Sequence, residues 1–114
     1  MRIVTLTLNP ALDIETGVEH LEPDRKLRCS PPLVEPGGGG INVARVVAEL
    51  GGDPFAVVAL GGPNGGLVAS QLRSHGVPFA QVPIAGDTRQ SFTVIDRSSM
   101  RQYRFVLPGP TMQP

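Results

Sequence analysis

The chain has 114 residues, enough for one small domain or part of a larger one. Ten basic residues balance ten acidic ones, which argues against a sequence-blind nucleic-acid binder, since such a protein needs net positive charge to release counterions. Fourteen glycines and twelve prolines mark many turns, yet Leu, Ile, Val and Phe make up about three tenths of the chain, above the ~20 % below which disorder is expected.

No apolar run approaches the ~20 residues of a membrane span, and no signal-peptide cleavage pattern follows the N-terminus. The single cysteine, Cys29, excludes an intrachain disulfide framework and a multi-Cys metal site. A reducing cytoplasm is the expected compartment.

Ile3 to Leu8 reads as a first strand, with Ile3, Thr5 and Thr7 on one face and Val4, Leu6 and Leu8 on the other. Asn9-Pro10 ends it, because Pro cannot donate to a ladder and restricts the residue before it. Asp13 is then expected in a loop beyond the strand's carboxyl end, where open α/β sheets bind ligands. A solvated loop carboxylate is the other reading. Residues 17–36 are charged and Pro-rich. A short strand is plausible at Lys26-Leu27-Arg28-Cys29, and Pro31, Pro32 and Pro36 keep the segment at an edge or in loops.

Gly37-Gly38-Gly39-Gly40 precedes a helical pattern over Ile41 to Leu50. Val43, Val46, Val47 and Leu50 form an apolar stripe opposite Asn42, Arg45 and Glu49, and Gly51-Gly52 is a stop. Free backbone N–H groups, a favourable dipole and missing Cβ atoms make such a loop a candidate seat for an anion or hydroxyl. The pattern fits neither G-x-G-x-x-G nor the P-loop, and a flexible linker before a packing helix is the competing reading. Asn42, in the first turn, is within reach of a ligand held by the loop.

Phe55 to Leu60 is a continuous apolar run suited to a strand buried on both faces of a parallel sheet. Asn64 is placed to cap a helix running to about His75, with Gly76 past its end and Val68 and Leu72 facing the core. His20 and His75 read as surface or capping residues. A short strand is expected near Ala80 to Pro83. The order of elements is that of an α/β doubly wound sheet.

Gln90 to Ile95 and Gln102 to Leu107 both alternate. For a hairpin to bury Phe92 and Val94 together with Tyr103, Phe105 and Leu107, cross-strand partners must have an odd sum of residue numbers. Arg89, Ser91 and Thr93 then share the polar face with Gln102 and Arg104. Two arginines on one face fit a phosphate or carboxylate between them. An exposed face with scattered solvated charges is the alternative. Leu107 to Pro114, with three prolines, reads as a linker rather than the end of a fold, so sheet edges and one face are expected to stay uncovered.

Thr5-Leu6-Thr7-Leu8-Asn9-Pro10-Ala11-Leu12-Asp13 and Gly37-Gly38-Gly39-Gly40-Ile41-Asn42-Val43-Ala44-Arg45 resemble the N-terminal part of the ribokinase-like (PfkB) carbohydrate kinases. Lys26-Leu27-Arg28-Cys29, Thr88-Arg89-Gln90 and Tyr103-Arg104-Phe105-Val106-Leu107-Pro108-Gly109 point to the phosphosugar branch of that family. The resemblance runs along nearly the whole chain. It implies the start of a ribokinase-like α/β domain (residues 1–13 and 37–87), a small β-sheet lid (14–36 and 88–107) and a truncated linker (108–114). It also implies that Asp13 holds sugar hydroxyls, that Gly38, Gly39 and Asn42 line the sugar pocket, and that Arg89 and Arg104 contact the sugar phosphate. Lys26 matches a lid lysine that reaches a substrate site, in some members from the partner subunit. The implied partners are fructose 6-phosphate or a similar phosphosugar and a second copy clasped through the lid. The implied cofactors of the parent enzyme are ATP and Mg²⁺. The family's Gly-Ala-Gly-Asp motif and nucleotide site have no counterpart in this sequence, which covers about the first third of a typical member. The chain alone is therefore expected to be catalytically silent, with no catalytic residue and no bound cofactor of its own.

Overall fold

The computed structural model describes residues 1–112. Gln113 and Pro114, the end of the expected linker, lie outside the described residues. Nine elements form two sheets and two helices.

The first sheet has the order β1-β4-β5, all parallel, from β1 (Arg2–Thr7), β4 (Asp53–Leu60) and β5 (Phe79–Pro83). Helices α1 (Gly39–Glu49) and α2 (Gly62–Ser74) make its two crossovers. The strand order advances the same way at each crossover, so right-handed connections place both helices on one face. There Ala56, Val58 and Leu60 meet Ile41 and Ala44 of α1 and Val68, Ala69 and Leu72 of α2 in one buried cluster. Val68 and Leu72 face the core as expected, and Gly76 ends α2 in a left-handed conformation at φ 69°.

Three expectations need correction here. Gly39 and Gly40 are not loop; they form the first turn of α1. The helix also turns a different face inward. Ile41 and Ala44 are buried, whereas Val43, Val46 and Leu50 of the expected stripe are exposed. A helix apolar on two sides has no unique inward face by periodicity, and the close approach of Gly40 to β1 decides between them. Finally, Asn64 does not cap α2. Gly61 is the cap residue, and Asp87 serves the helix end by accepting from the Asn64 backbone N–H at 2.9 Å and from its side-chain amide at 3.1 Å.

β1 turns its Thr5 and Thr7 side inward, leaving Val4 and Leu6 each 62 % exposed. These two stand beside Phe55 and Val57 of β4 in register. The face of the sheet away from the helices is therefore apolar and uncovered among the described residues.

The second sheet has the order β3-β2-β6-β7, from β2 (Ala11–Val18), β3 (Leu33–Gly37), β6 (Arg89–Asp96) and β7 (Arg101–Val106). β2 and β6 run parallel, and β3 and β7 flank them antiparallel. Asp13 is thus in a strand, not a loop. Asn9-Pro10 is only a crossing between sheets, and past it Leu12, Ile14 and Val18 alternate with Asp13, Glu15 and Gly17. Lys26 to Cys29 form no strand; they lie in the long connection between β2 and β3. The hairpin parity holds: Phe92 pairs with Phe105, Val94 with Tyr103 and Thr93 with Arg104.

Candidate functional site

Alternation fixes which side chains of the second sheet share a face. Asp13 stands beside Glu35 on β3 and Ser91 on β6, while Thr93 stands beside Glu15 and Arg104. This polar face borders a cleft of about 500 Å³ whose lining includes Asp13, Gly38, Gly39, Asn42, Arg89 and Arg104. The structure thus brings together every expected substrate residue except Lys26. Lys26 lies in a separate depression with His20, Glu22, Arg25 and Arg28. Its chain segment leaves the sheet after β2 and returns only at β3, which carries it off this cleft.

The four glycines have different reasons. A Cβ on Gly37 would collide with the Asp13 carboxylate, so the bare backbone is what lets that carboxylate lie flat across β3. Gly38 holds φ at +128°, a conformation side chains rarely adopt, as the chain turns from β3 into α1. A Cβ on Gly40 would stand 2.5 Å from the Thr7 hydroxyl and 2.9 Å from the Leu6 carbonyl, so α1 seats directly on β1. Gly39 meets nothing within 4 Å and leaves open space at the cleft.

Burial pushes the Asp13 carboxyl above its usual range. The guanidinium groups of Arg89 and Arg104 pull it back down, Glu35 pushes it up, and Arg45 pulls it down. Asp13 makes no ion pair among the described residues, so its oxygens are available as acceptors for ligand hydroxyls.

Arg89 is already partly engaged. Its Nε and an Nη donate to the Asn9 carbonyl at 3.3 and 3.2 Å, and its other Nη donates to the Leu107 carbonyl at 3.4 Å. Both carbonyls belong to segments that adjoin the second sheet at its cleft end. Neutral carbonyls are weaker partners for a guanidinium than a phosphate is, so an anion in the cleft competes for Arg89 on good terms. Arg104 is exposed on β7 on the same polar face.

Glu35 and Arg45 were not singled out as site residues by sequence reasoning. Glu35 lines the cleft beside Asp13, and its Oε1 lies 3.5 Å from an Nη of Arg45, whose other Nη donates to the Pro36 carbonyl at 3.4 Å. The signal available for Glu35 was the even sum of its number with that of Asp13, which puts the two on one face across the antiparallel β2–β3 pair. It went unseen because β2 was not recognised as a strand.

Two layers meet at this cleft: an α/β unit with a glycine-padded helix start, and a second sheet whose cleft side carries Asp13, Glu15 and Glu35 together with Arg89 and Arg104. The arrangement sets carboxylate acceptors and guanidinium donors around one cleft. The chain belongs to the pfkB family of carbohydrate kinases, whose model matches residues 7–112. It is 54 % identical over 111 residues to an ATP-dependent 6-phosphofructokinase isozyme 2 of Mycobacterium tuberculosis H37Rv, covering 97 % of this chain and 33 % of that protein. It is 47 % identical to the ATP-dependent 6-phosphofructokinase isozyme 2 of Escherichia coli K12, covering 98 % of this chain and 36 % of that one. Among solved structures it superposes on phosphofructokinase-2 from Escherichia coli in complex with fructose-6-phosphate with a TM-score of 0.90 at 49 % identity, covering 95 % of this chain and 36 % of the other. The chain spans about a third of the length of these relatives.

Proposed function

We propose that this chain forms the sugar-phosphate seat of an ATP-dependent 6-phosphofructokinase, which moves the γ-phosphoryl of ATP to the 1-hydroxyl of fructose 6-phosphate. The observation that carries the reading is the placement of Asp13, Gly38, Gly39 and Asn42 in one cleft with Arg89 and Arg104. The Asp13 carboxylate accepts from sugar hydroxyls, and the open backbone at Gly39 admits the ring. Arg89 and Arg104 hold the 6-phosphate through charge-assisted bonds. In phosphoryl transfer most of the barrier reduction comes from positioning and electrostatics, and this seat fixes the nucleophile's half of the reactants.

No residue of this chain is assigned a catalytic role. The proton acceptor and the ATP seat belong, on the family resemblance, to the C-terminal part of a longer protein. Mg²⁺ would arrive there with ATP; among the described residues no three His, Cys, Asp or Glu side chains gather to hold a metal. Residues 14–36 and 88–107 act as the lid, and a second copy covers its apolar face at Phe92, Phe105 and Tyr103. The cytoplasm is the compartment. Among the described residues no helix is long and apolar enough to cross a membrane.

Calorimetric titration of the chain tests the reading. Fructose 6-phosphate should give saturable heat and fructose none, because only the former reaches the arginines. Equal responses to both overturn the phosphate assignment, and no response to either overturns the reading. In the corresponding full-length enzyme, Arg104→Ala should raise the KM for the phosphosugar far more than that for ATP. Two other readings share the same cleft: a 1-phosphofructokinase or tagatose-6-phosphate kinase, and a non-catalytic sugar-phosphate-binding or dimerisation module. Substrate preference of the full-length protein separates the first, and binding without turnover there identifies the second.

A further inference from the structure

Asp96 is the one nearly buried carboxylate among the described residues, at 3 % exposure, and it plays no part in the cleft. It ends β6, at the far end of the strand from Arg89. Burying a charge there requires donors on all sides, and they are present. Oδ1 accepts from the Ser98 hydroxyl at 2.6 Å and from the backbone N–H groups of Ser98 at 2.9 Å and Ser99 at 3.2 Å. Oδ2 accepts from the Leu21 N–H at 3.0 Å and lies 3.4 Å from His20 Nδ1. Because the Ser98 hydroxyl gives its proton to Asp96, its oxygen accepts from His20 Nδ1–H at 3.0 Å.

These bonds join two loops that are 75 residues apart in sequence. One is the 97–100 turn of the hairpin. The other begins at Glu19 and carries Arg25, Lys26 and Arg28 before it returns to β3. The joint is reinforced by backbone bonds from Arg97 N–H to the Val18 carbonyl at 2.9 Å and from Ser98 N–H to the Glu19 carbonyl at 3.0 Å. The returning end is pinned separately. Ser30 N–H donates to the Gly17 carbonyl at 2.9 Å, the Thr16 hydroxyl donates to the Ser30 carbonyl at 2.7 Å, and Gly17 N–H donates to Ser30 Oγ at 3.0 Å. Between the two anchors the segment has little hold of its own, one surface pair between Arg25 and Glu22 at 2.8 Å being the main side-chain contact.

We propose that Asp96 is a positioning residue: its carboxylate fixes the outgoing anchor of the 19–32 loop against the hairpin turn and thereby sets where Lys26 stands. The use made of Lys26 there, contact with the phosphosugar of a neighbouring copy's cleft, rests on the functional reading above. The placement itself does not. Lys26 is held away from its own chain's cleft, and its place follows from where the two anchors hold the ends of the loop. A single buried carboxylate gripping Leu21 and the hairpin turn holds the outgoing end without a hydrophobic core.

The test uses the whole 114-residue chain. Cys29→Ser with Lys26→Cys gives one thiol for a nitroxide label at position 26. Asp96→Asn in that background should sharpen the label's spectrum toward that of a mobile loop, and the Leu21 amide should exchange hydrogen at least about tenfold faster. Far-UV circular dichroism should be unchanged. Should Asp96→Asn fail to fold, the pair His20→Ala and Ser98→Ala keeps the carboxylate and its backbone bonds and should produce a smaller sharpening. A spectrum unaltered in every folded variant overturns the proposal. Fructose 6-phosphate affinity, measured in the unlabelled chain, then tests the use of the loop. Asp96→Asn and Lys26→Ala should each weaken it, and together they should weaken it no more than Lys26→Ala alone. Additive losses show that Asp96 does not act through Lys26 and overturn that link. A parent chain that binds no fructose 6-phosphate defeats the functional reading, while the label still decides whether Asp96 holds the loop.

Discussion

The two sheets of this chain solve opposite problems with the same strand geometry. In β1-β4-β5 the inward side chains of β4, Ala56, Val58 and Leu60, are all but inaccessible, and two helices lie over them. In β3-β2-β6-β7 no helix covers the cleft face among the described residues, and the positions on that face include Asp13, Glu35, Ser91 and Thr93. The first sheet gains its stability from apolar area removed from water, and the second holds together largely by ladder bonds and by its attachment to the first. Leu12 at the start of β2, together with Val34 on β3, is where the second sheet joins the common core. A polar face kept open in this way is poor for stability and suited to recognition. The sheet that carries the candidate site is the one that contributes least to the core.

A core truncation gives the largest expected effect and tests that division most directly. Leu72→Ala removes a side chain with no exposed surface from beneath α2. It should cost ~2–5 kcal/mol in urea unfolding, a large share of the stability of a domain this size. Both sheets should unfold in the same transition. A variant that lost only the first sheet would show that the second folds independently and would end the comparison as drawn. Arg104→Ala is the counterpart on the open face. It should change stability by no more than ~0.5 kcal/mol, since Arg104 is exposed. It should weaken fructose 6-phosphate binding about tenfold to a hundredfold, the value of charged hydrogen bonds of ~1.5–3 kcal/mol. A loss of stability without a loss of affinity would move Arg104 from recognition to structure.

The glycine run crosses from one regime to the other within four residues, and two substitutions separate them. Gly40→Ala drives a methyl into the Leu6 carbonyl and the Thr7 hydroxyl, both fixed parts of β1. It should cost ~1–3 kcal/mol of stability, as overpacking does. Gly37→Ala meets instead the Asp13 carboxylate, the free end of a side chain that is able to swing aside. Its stability cost should be smaller, and its main effect should be loss of sugar affinity as that carboxylate is displaced. Thermal melts paired with calorimetry check both.

Much of this division was legible from the residues, and the exceptions have physical causes. The parity of the hairpin pairing followed from side-chain alternation alone, because a period of two leaves only one parity that puts Phe92 and Phe105 on the same side. The strand at Phe55 to Leu60 was legible from its continuous apolar run, although only its Ala56, Val58 and Leu60 face is fully covered and Phe55 and Val57 are half-buried. The inward face of α1 was not, because Val43, Val46 and Leu50 outweigh Ile41 and Ala44 in apolar bulk. Only the tight seat of Gly40 on β1, a tertiary contact, tells which face turns in. β2 was hidden by the Asn9-Pro10 stop before it, which reads as the start of a loop, although Leu12, Ile14 and Val18 alternate with Asp13, Glu15 and Gly17. The Asp96 joint did leave a local trace: Asp96-Arg97-Ser98-Ser99 is the pattern of a side chain bonding its own turn. Its grip on Leu21 depends on a contact across most of the chain, and no local pattern reports that.

The smallest expected effects come from comparing the two aspartates, which hold their charge under contrary conditions. Asp13 is raised by burial at an open cleft, so its ionisation opposes folding. Its contribution to stability is complete below the ordinary carboxylate range and is lost as pH rises through the raised value. Asp96 is lowered, first by the Ser98 hydroxyl and then by the Leu21 N–H, with the Ser99 and Ser98 N–H groups adding to them. Its contribution is present above the ordinary carboxylate range and is lost as pH falls toward the depressed value. Urea midpoints between about pH 3 and pH 7 should therefore move the two isosteric variants in opposite directions relative to the parent. Asp13→Asn should gain relative stability as pH rises, while binding fructose 6-phosphate less well at every pH. Asp96→Asn should lose relative stability as pH rises. If both variants followed the same slope, the carboxylate in the cleft would be a structural group like the one at the turn. The second sheet would then lose its claim to be the part of the molecule in which stability gives way to recognition.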